Sequence, residues 1–248
     1  MAEDNEQQSP FTRPGFVAAT VVIALIVVLG LVIVIVNMNR DDPDPAPTTS
    51  TSVEPTSAAP TSEPPEAVGG ASVCGLPGEV LEGTLTTAPA AEWEYQGTTA
   101  YPTSSEFGPG DTSAGGVRFC FERSPEGALF AAANSLVQGS DPSIAEEWLQ
   151  YIVAEGPFRD QLLADVGSGT TGEGTRLAIV GFRVLAYDGE TARIDLAVRG
   201  TSQGQTITLS GVYELVWQEG DWKISADVAQ PLNMATIPDT AGYIAWGE

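Results

Sequence analysis

The stretch GVYELVWQEGDWKISAD, residues 211–227, sets alternating apolar side chains on both sides of a Glu-Gly-Asp turn. That pattern predicts two antiparallel strands joined tightly, with Trp217 and Trp222 facing each other across them. Such a pair is expected to act as a cross-strand clamp that fixes register, rather than as a ligand platform. Upstream, TITLSGVYELVWQ (206–218) makes the first of these strands long, with Ile207, Leu209, Tyr213, Leu215 and Trp217 toward one side. RLAIVGFRVLAYDGETARIDLAVRG (176–200) adds two more strands around Asp188-Gly189. Its second strand puts Ile194, Leu196 and Val198 on one face and Arg193, Asp195 and Arg199 on the other. The result is a four-stranded antiparallel meander whose apolar face buries against helices, while its mixed polar face meets solvent or a partner.

Those helices precede the sheet. In RSPEGALFAAANSLVQGSDPS, Ser124 can cap a helix and Pro125 can occupy its first turn, where a missing donor costs nothing. Leu129, Ala132, Ala133, Leu136 and Val137 then form one apolar face. Asp141-Pro142 repeats the start signal for a second helix, with Ile144, Trp148, Leu149, Ile152 and Val153 inward and Gly156-Pro157 at its end. Phe158, Leu162, Leu163 and Val166 mark a short third helix. The connection GSGTTGEG, from Gly167, has the G-x-G-x-x-G spacing of a dinucleotide loop, but a helix precedes it and strands follow, so it reads as a flexible link.

The N-terminal third is of another kind. Phe16 to Val36 contains no charge over 21 residues, which at 1.5 Å per residue is about 31 Å, the thickness of a bilayer core. A cleaved signal peptide would have a shorter apolar run and a small-residue cleavage site, so the segment is expected to be an uncleaved signal anchor. Arg13 and Arg40 flank it one on each side and leave the orientation open. Residues 41–72 hold 17 Pro, Thr or Ser among 32 and no periodic apolar face, which predicts a disordered, extended stalk suited to the outside of a cell. Two cysteines, Cys74 and Cys120, are an even count in an apparently exported domain, so a disulfide is expected.

The expected organisation is a cytoplasmic tail (1–15), a transmembrane helix (16–36), a stalk (37–72), a loop-rich disulfide-pinned segment (73–123), an α+β domain (124–230) and a C-terminal extension (231–248). At this point the chain resembles the cystatin-like, or nuclear-transport-factor-2-like, domains of bitopic scaffolds in type IV secretion and conjugation machines. CFERSPEGALFAAANSL and the terminal hairpin are similar to membrane-anchored proteins carried by mobile elements of high-GC Gram-positive bacteria. The resemblance covers about residues 116–230. It implies three helices on a curved four-stranded sheet and a role in assembly.

Composition narrows the chemistry. There are 33 acidic and 10 basic residues, a net charge of -23, no histidine, and one lysine, Lys223, against nine arginines. Residues 73–248 carry 24 acids and 8 bases, which disfavours nucleic acid as a direct partner. Without histidine there is no Ser-His or Cys-His pair and no common zinc site, so no metal or cofactor is expected. What remains is carboxylate chemistry, for which Asp195, Tyr213 and Glu214 are the weak pocket candidates. The expected function is therefore non-enzymatic: a scaffold or accessory subunit of an envelope transfer machine, single-pass in the cell membrane, with its domain outside the cytoplasm, protein partners and a capacity to oligomerise. An accessory role in lipid import and a small carboxylate enzyme are the alternatives.

Overall fold

The computed structural model of the chain describes residues 72–166, 176–202 and 204–248. The anchor, almost all of the stalk and the GSGTTGEG link lie outside the described residues. Among the described residues no helix is long and apolar enough to cross a membrane.

The fold is α+β with antiparallel sheets. Its main sheet is built on the strands expected from the sequence, β5 (Arg176–Tyr187), β6 (Thr191–Ser202), β7 (Gln205–Gln218) and β8 (Asp221–Ile224), in consecutive antiparallel order. The β7–β8 turn is Glu219-Gly220, with φ of 56° and 78°. Two left-handed residues give the turn a twist that matches the strands, which is why glycine stands at its second position. At the β5–β6 turn the Asp188 carboxylate accepts from the backbone N–H groups of Glu190 and Thr191, with Gly189 at φ 80°. Register shifts after Ile179 and Val184 mark bulges in β5, which bend a strand and deepen its twist.

Three expectations need correction here. Among the described residues the sheet has six strands, not four, because the C-terminal extension supplies β9 (Leu232–Thr236) beside the middle of β7 and β10 (Ile244–Ala245) beside β5. Residue 230 is thus no boundary. Second, the loop-rich segment contains two hairpins, β1 (Glu92–Gln96) with β2 (Thr99–Thr103), and β3 (Asp111–Thr112) with β4 (Arg118–Phe119). Third, Asp141 does not cap a helix: it accepts from Ser143 in a turn, and the second helix starts at Ala145.

Helix α1 (Pro125–Gln138) is capped as its sequence predicts, the Ser124 hydroxyl accepting from Gly127 N at 2.9 Å. Its surroundings differ from the expected single apolar face. Twelve of its residues are buried, because β1–β2 and the sheet both contact it. The small side chains Ala128 and Ala131–Ala133 allow that double approach. Helices α2 (Ala145–Ile152) and α3 (Arg159–Val166) follow, and the chain between them extends the sheet past β8 through Ala154 N to Ile224 O at 2.9 Å.

The core joins Leu129, Phe130, Ile152, Phe182, Ile194, Leu196 and Trp222, all at most 2% exposed. The tail enters it through Trp246, whose ring lies 5.1 Å from Trp93, 5.3 Å from Phe130 and 5.6 Å from Phe182. Those three rings belong to β1, α1 and β5, so one tail residue ties three elements. Trp246→Ala in a protein comprising residues 62–248 is expected to lower unfolding free energy by about 3–5 kcal/mol, read as a lower urea midpoint at an unchanged slope.

Candidate functional site

Among the places where the described residues gather polar side chains, three clusters hold elements of the protein together and a fourth place is a surface crevice. The first lies behind the quoted hairpin. Asp221 opens β8 and is wholly buried. Its Oδ2 accepts from Cys120 N at 2.8 Å and Tyr151 Oη at 2.7 Å; its Oδ1 accepts from Phe121 N at 2.8 Å and Trp222 N at 2.9 Å. Burial pushes this carboxyl above the usual carboxylate range, against the pull of its four donors. Burial and the neighbouring Asp221 charge raise the Tyr151 phenol in turn. Cys120 is bonded to Cys74 and holds a left-handed φ of 67°. Beside it, Trp222 Nε1 donates to Glu122 O at 2.9 Å, and its ring meets Trp217 at 5.3 Å and 69°.

The second cluster corrects the expected solvent- or partner-facing polar face at Asp195 alone, since Arg193 and Arg199 are exposed. Asp195 is fully buried on the sheet face opposite the helices, where Arg183 pairs with it and Ser210 Oγ (2.7 Å) and Tyr243 Oη (2.8 Å) donate to it. The Asp195 hydrogen bond raises the Arg183 guanidinium above its ordinary range. In the third cluster, Arg118 donates through Nε to Asn134 and through an amino group to Gln96, with its guanidinium 3.7 Å from the Tyr101 ring. Gln96 passes the contact on to Asp141. Burial lowers the Arg118 proton affinity.

The structure does not bring the three pocket candidates together. Tyr213 faces Ile194 across the β6–β7 ladder, on the core side, and its burial raises the phenol. Asp195 points to the other face, and Glu214 spends its carboxylate on Arg193 at 2.7 Å. Among the described residues no group of three or more Cys, Asp or Glu could hold a metal ion.

The fourth place is open. A crevice of about 330 Å³ lies between β1 and the start of β5, lined among others by Trp93, Tyr95, Arg176, Arg199, Thr201 and Glu248. A second, of about 270 Å³, adjoins it through Thr98 and Leu177. Neither Asp195 nor Asp221 lines them. Sequence alone sets Arg199 on a mixed polar face and singles out none of Arg176, Trp93, Tyr95 and Glu248 for binding; the alternation of Trp93 and Tyr95 is the local signal of the strand there.

The Asp221 cluster yields a sharp contrast. Asp221→Asn turns an amide N–H toward donors that have no other acceptor among the described residues, so it should cost about 2–4 kcal/mol. Glu214→Gln, which breaks a partly exposed pair, should cost less than about 1 kcal/mol. Urea unfolding of both variants checks the ordering.

Searches of curated proteins and of solved structures return no match for the chain. A scan against protein families matches residues 53–245 to one described as a domain of unknown function, DUF8175. That match spans most of the sequence, the described strands and helices included, and the chain therefore belongs to the DUF8175 family.

Proposed function

We propose that the chain is a membrane-anchored, extracytoplasmic scaffold or accessory subunit of a cell-envelope transfer machine, of the kind that serves conjugative DNA transfer. The observation that carries this reading is where the domain's polar chemistry goes. Asp221, Asp195 and Arg118 each bind parts of the protein to one another, and the open crevice beside β1 presents arginines and aromatic rings. Such an inventory suits contact rather than bond making. The Cys74–Cys120 disulfide supports an oxidising compartment, and the apolar segment 16–36 with the Pro/Thr/Ser-rich stretch after it supports a tether. A sheet meander with helices on one side supports the cystatin-like comparison.

Two measurements test the reading. A C-terminal tag on intact cells should be cut by external protease while an N-terminal tag is protected; the reverse pattern defeats the orientation. In a host element scored for DNA transfer, deleting residues 73–248 should abolish transfer, whereas Tyr213→Phe and Glu214→Gln should leave it within about twofold, since a contact function does not use those groups chemically. Loss of transfer in a folded Glu214→Gln protein would favour the carboxylate enzyme. An accessory role in lipid import predicts that the deletion leaves DNA transfer intact.

A further inference from the structure

Residues 72–248 contain eight basic side chains. Five reach a carboxylate: Arg123 on Glu79, Arg159 on Glu155, Arg183 on Asp195, Arg193 on Glu214 and Lys223 on Glu219. Arg118 is buried among amides and Tyr101. Arg176 and Arg199 are the two exposed cations without a carboxylate partner among the described residues. They are neighbours. Arg176 pairs with Thr201 and Ala178 with Arg199 in the β5–β6 ladder, so both arginines project from one face at diagonal positions about 7–8 Å apart. Two like charges in that arrangement repel each other. In a chain with 33 acidic residues, their isolation is the exception.

Both line the 330 Å³ crevice, whose far wall carries Trp93, Tyr95 and Glu248, with the Tyr95 hydroxyl donating to the Glu248 carboxylate. We infer that this crevice binds an extended acidic segment of a partner protein, two of whose carboxylates pair with Arg176 and Arg199 while its apolar groups lie on Trp93 and Tyr95. In an extended peptide, residues i and i+2 share a face about 6.6 Å apart, close to the separation of the two arginines. An acid-x-acid spacing therefore fits. Each guanidinium offers the planar fork that a carboxylate takes in two-point fashion. A duplex or an anionic bilayer engages many charges over a wide area and would meet the net negative charge of the domain, whereas a short segment meets the crevice alone. This inference rests on the reading of the domain as a contact module.

The test uses the full chain in a non-ionic detergent and a fluorescein-labelled peptide of alternating Glu and Ala, about a dozen residues long, followed by anisotropy. Exposed ion pairs are individually weak, so binding should be modest and should fade as salt is raised. The matching Gln/Ala peptide, and the Glu/Ala peptide on the R176E/R199E double variant, should each bind at least about tenfold more weakly, the loss of two pairs plus the new repulsion. R193E, a charge reversal elsewhere on the sheet, should bind as the parent does. Unchanged thermal midpoints control for folding, and R176Q/R199Q replaces the double reversal if that protein unfolds. The inference is overturned by equal binding of the Gln peptide, by binding that survives both double variants, by no binding at all, or by tighter arginine-dependent binding of a single-stranded oligonucleotide or of phosphatidylglycerol vesicles. A peptide of residues 53–67 of this chain that outcompetes the probe would replace the partner with the chain's own segment and overturn it as well. If R176E/R199E binds the peptide and transfers DNA like the parent while the domain deletion does not transfer, the crevice assignment falls and the scaffold reading stands. If the peptide binds as expected and the deletion still transfers, the reverse holds.

Discussion

One buried carboxylate organises the domain. Asp221 sits at the first residue of β8, and its four acceptor contacts reach the backbone of Cys120 and Phe121, the start of its own strand at Trp222, and Tyr151 of α2. A left-handed, non-glycine backbone such as that of Cys120 costs about 1–3 kcal/mol and persists only where its surroundings over-determine it. Here the constraint comes from both sides, the carboxylate on its N–H and Gly110 N on its carbonyl at 2.8 Å. The disulfide at the same residue closes a 46-residue separation, which chain-entropy reasoning values at about 4 kcal/mol before strain. Trp222 then adds its indole bond to Glu122, two residues ahead of the α1 cap. The β7–β8 hairpin is thus the anchor of the cysteine segment, and even the described chain's first peptide group, Val73 N, docks on the turn at Gly220 O.

A second constraint acts from the other end. The tail gives one strand to β7 and another to β5, lays Tyr243 on Asp195, and sinks Trp246 between β1, α1 and β5. Helix α1 can be buried on nearly all sides only because its alanines permit close approach and because Asn134 and Gln138 find partners. Asn134 Nδ2 donates to Pro102 O, and the Gln138 amide exchanges two bonds with the Arg118 backbone, much as a neighbouring strand would. The crevice at the start of β5 lies apart from these interior contacts and is open to the surface.

Much of this was legible in residues 124–230. The period-two alternation of β5 to β8, the Asp188-Gly189 and Glu219-Gly220 turns and the Ser124-Pro125 start all follow from local chemistry, and the two cysteines do form their bridge. The tail strands were not legible because LNMAT and IA are too short to show a period. Alternation also tells which face Asp195 occupies without telling whether that face is covered; the answer lies 48 residues away at Tyr243. The same limit hid the crevice. Arg176 and Arg199 stand out only once the other six basic groups among the described residues are seen to be engaged, and no spacing rule reveals that Arg193 reaches Glu214 while Arg199 reaches no carboxylate among the described residues.

Synthesis proceeds from the N-terminus, and the tail's position in the core gives that direction a cost. Cys74 and Cys120 leave the ribosome long before Asp221, which decides the backbone geometry of the second, and before Trp246, which closes the core. The bridge between them spans a separation of 46 residues, and long-range pairings of this kind are slow to form. Final packing must wait for residues 232–246, which supply β9, β10 and the Trp246 ring. A chain clipped near residue 231 would lack Tyr243 over Asp195 and β10 on the β5 edge, and so leave both bare. Packing contact alone thus separates a chain that carries the tail strands and Trp246 from a fragment that lacks them.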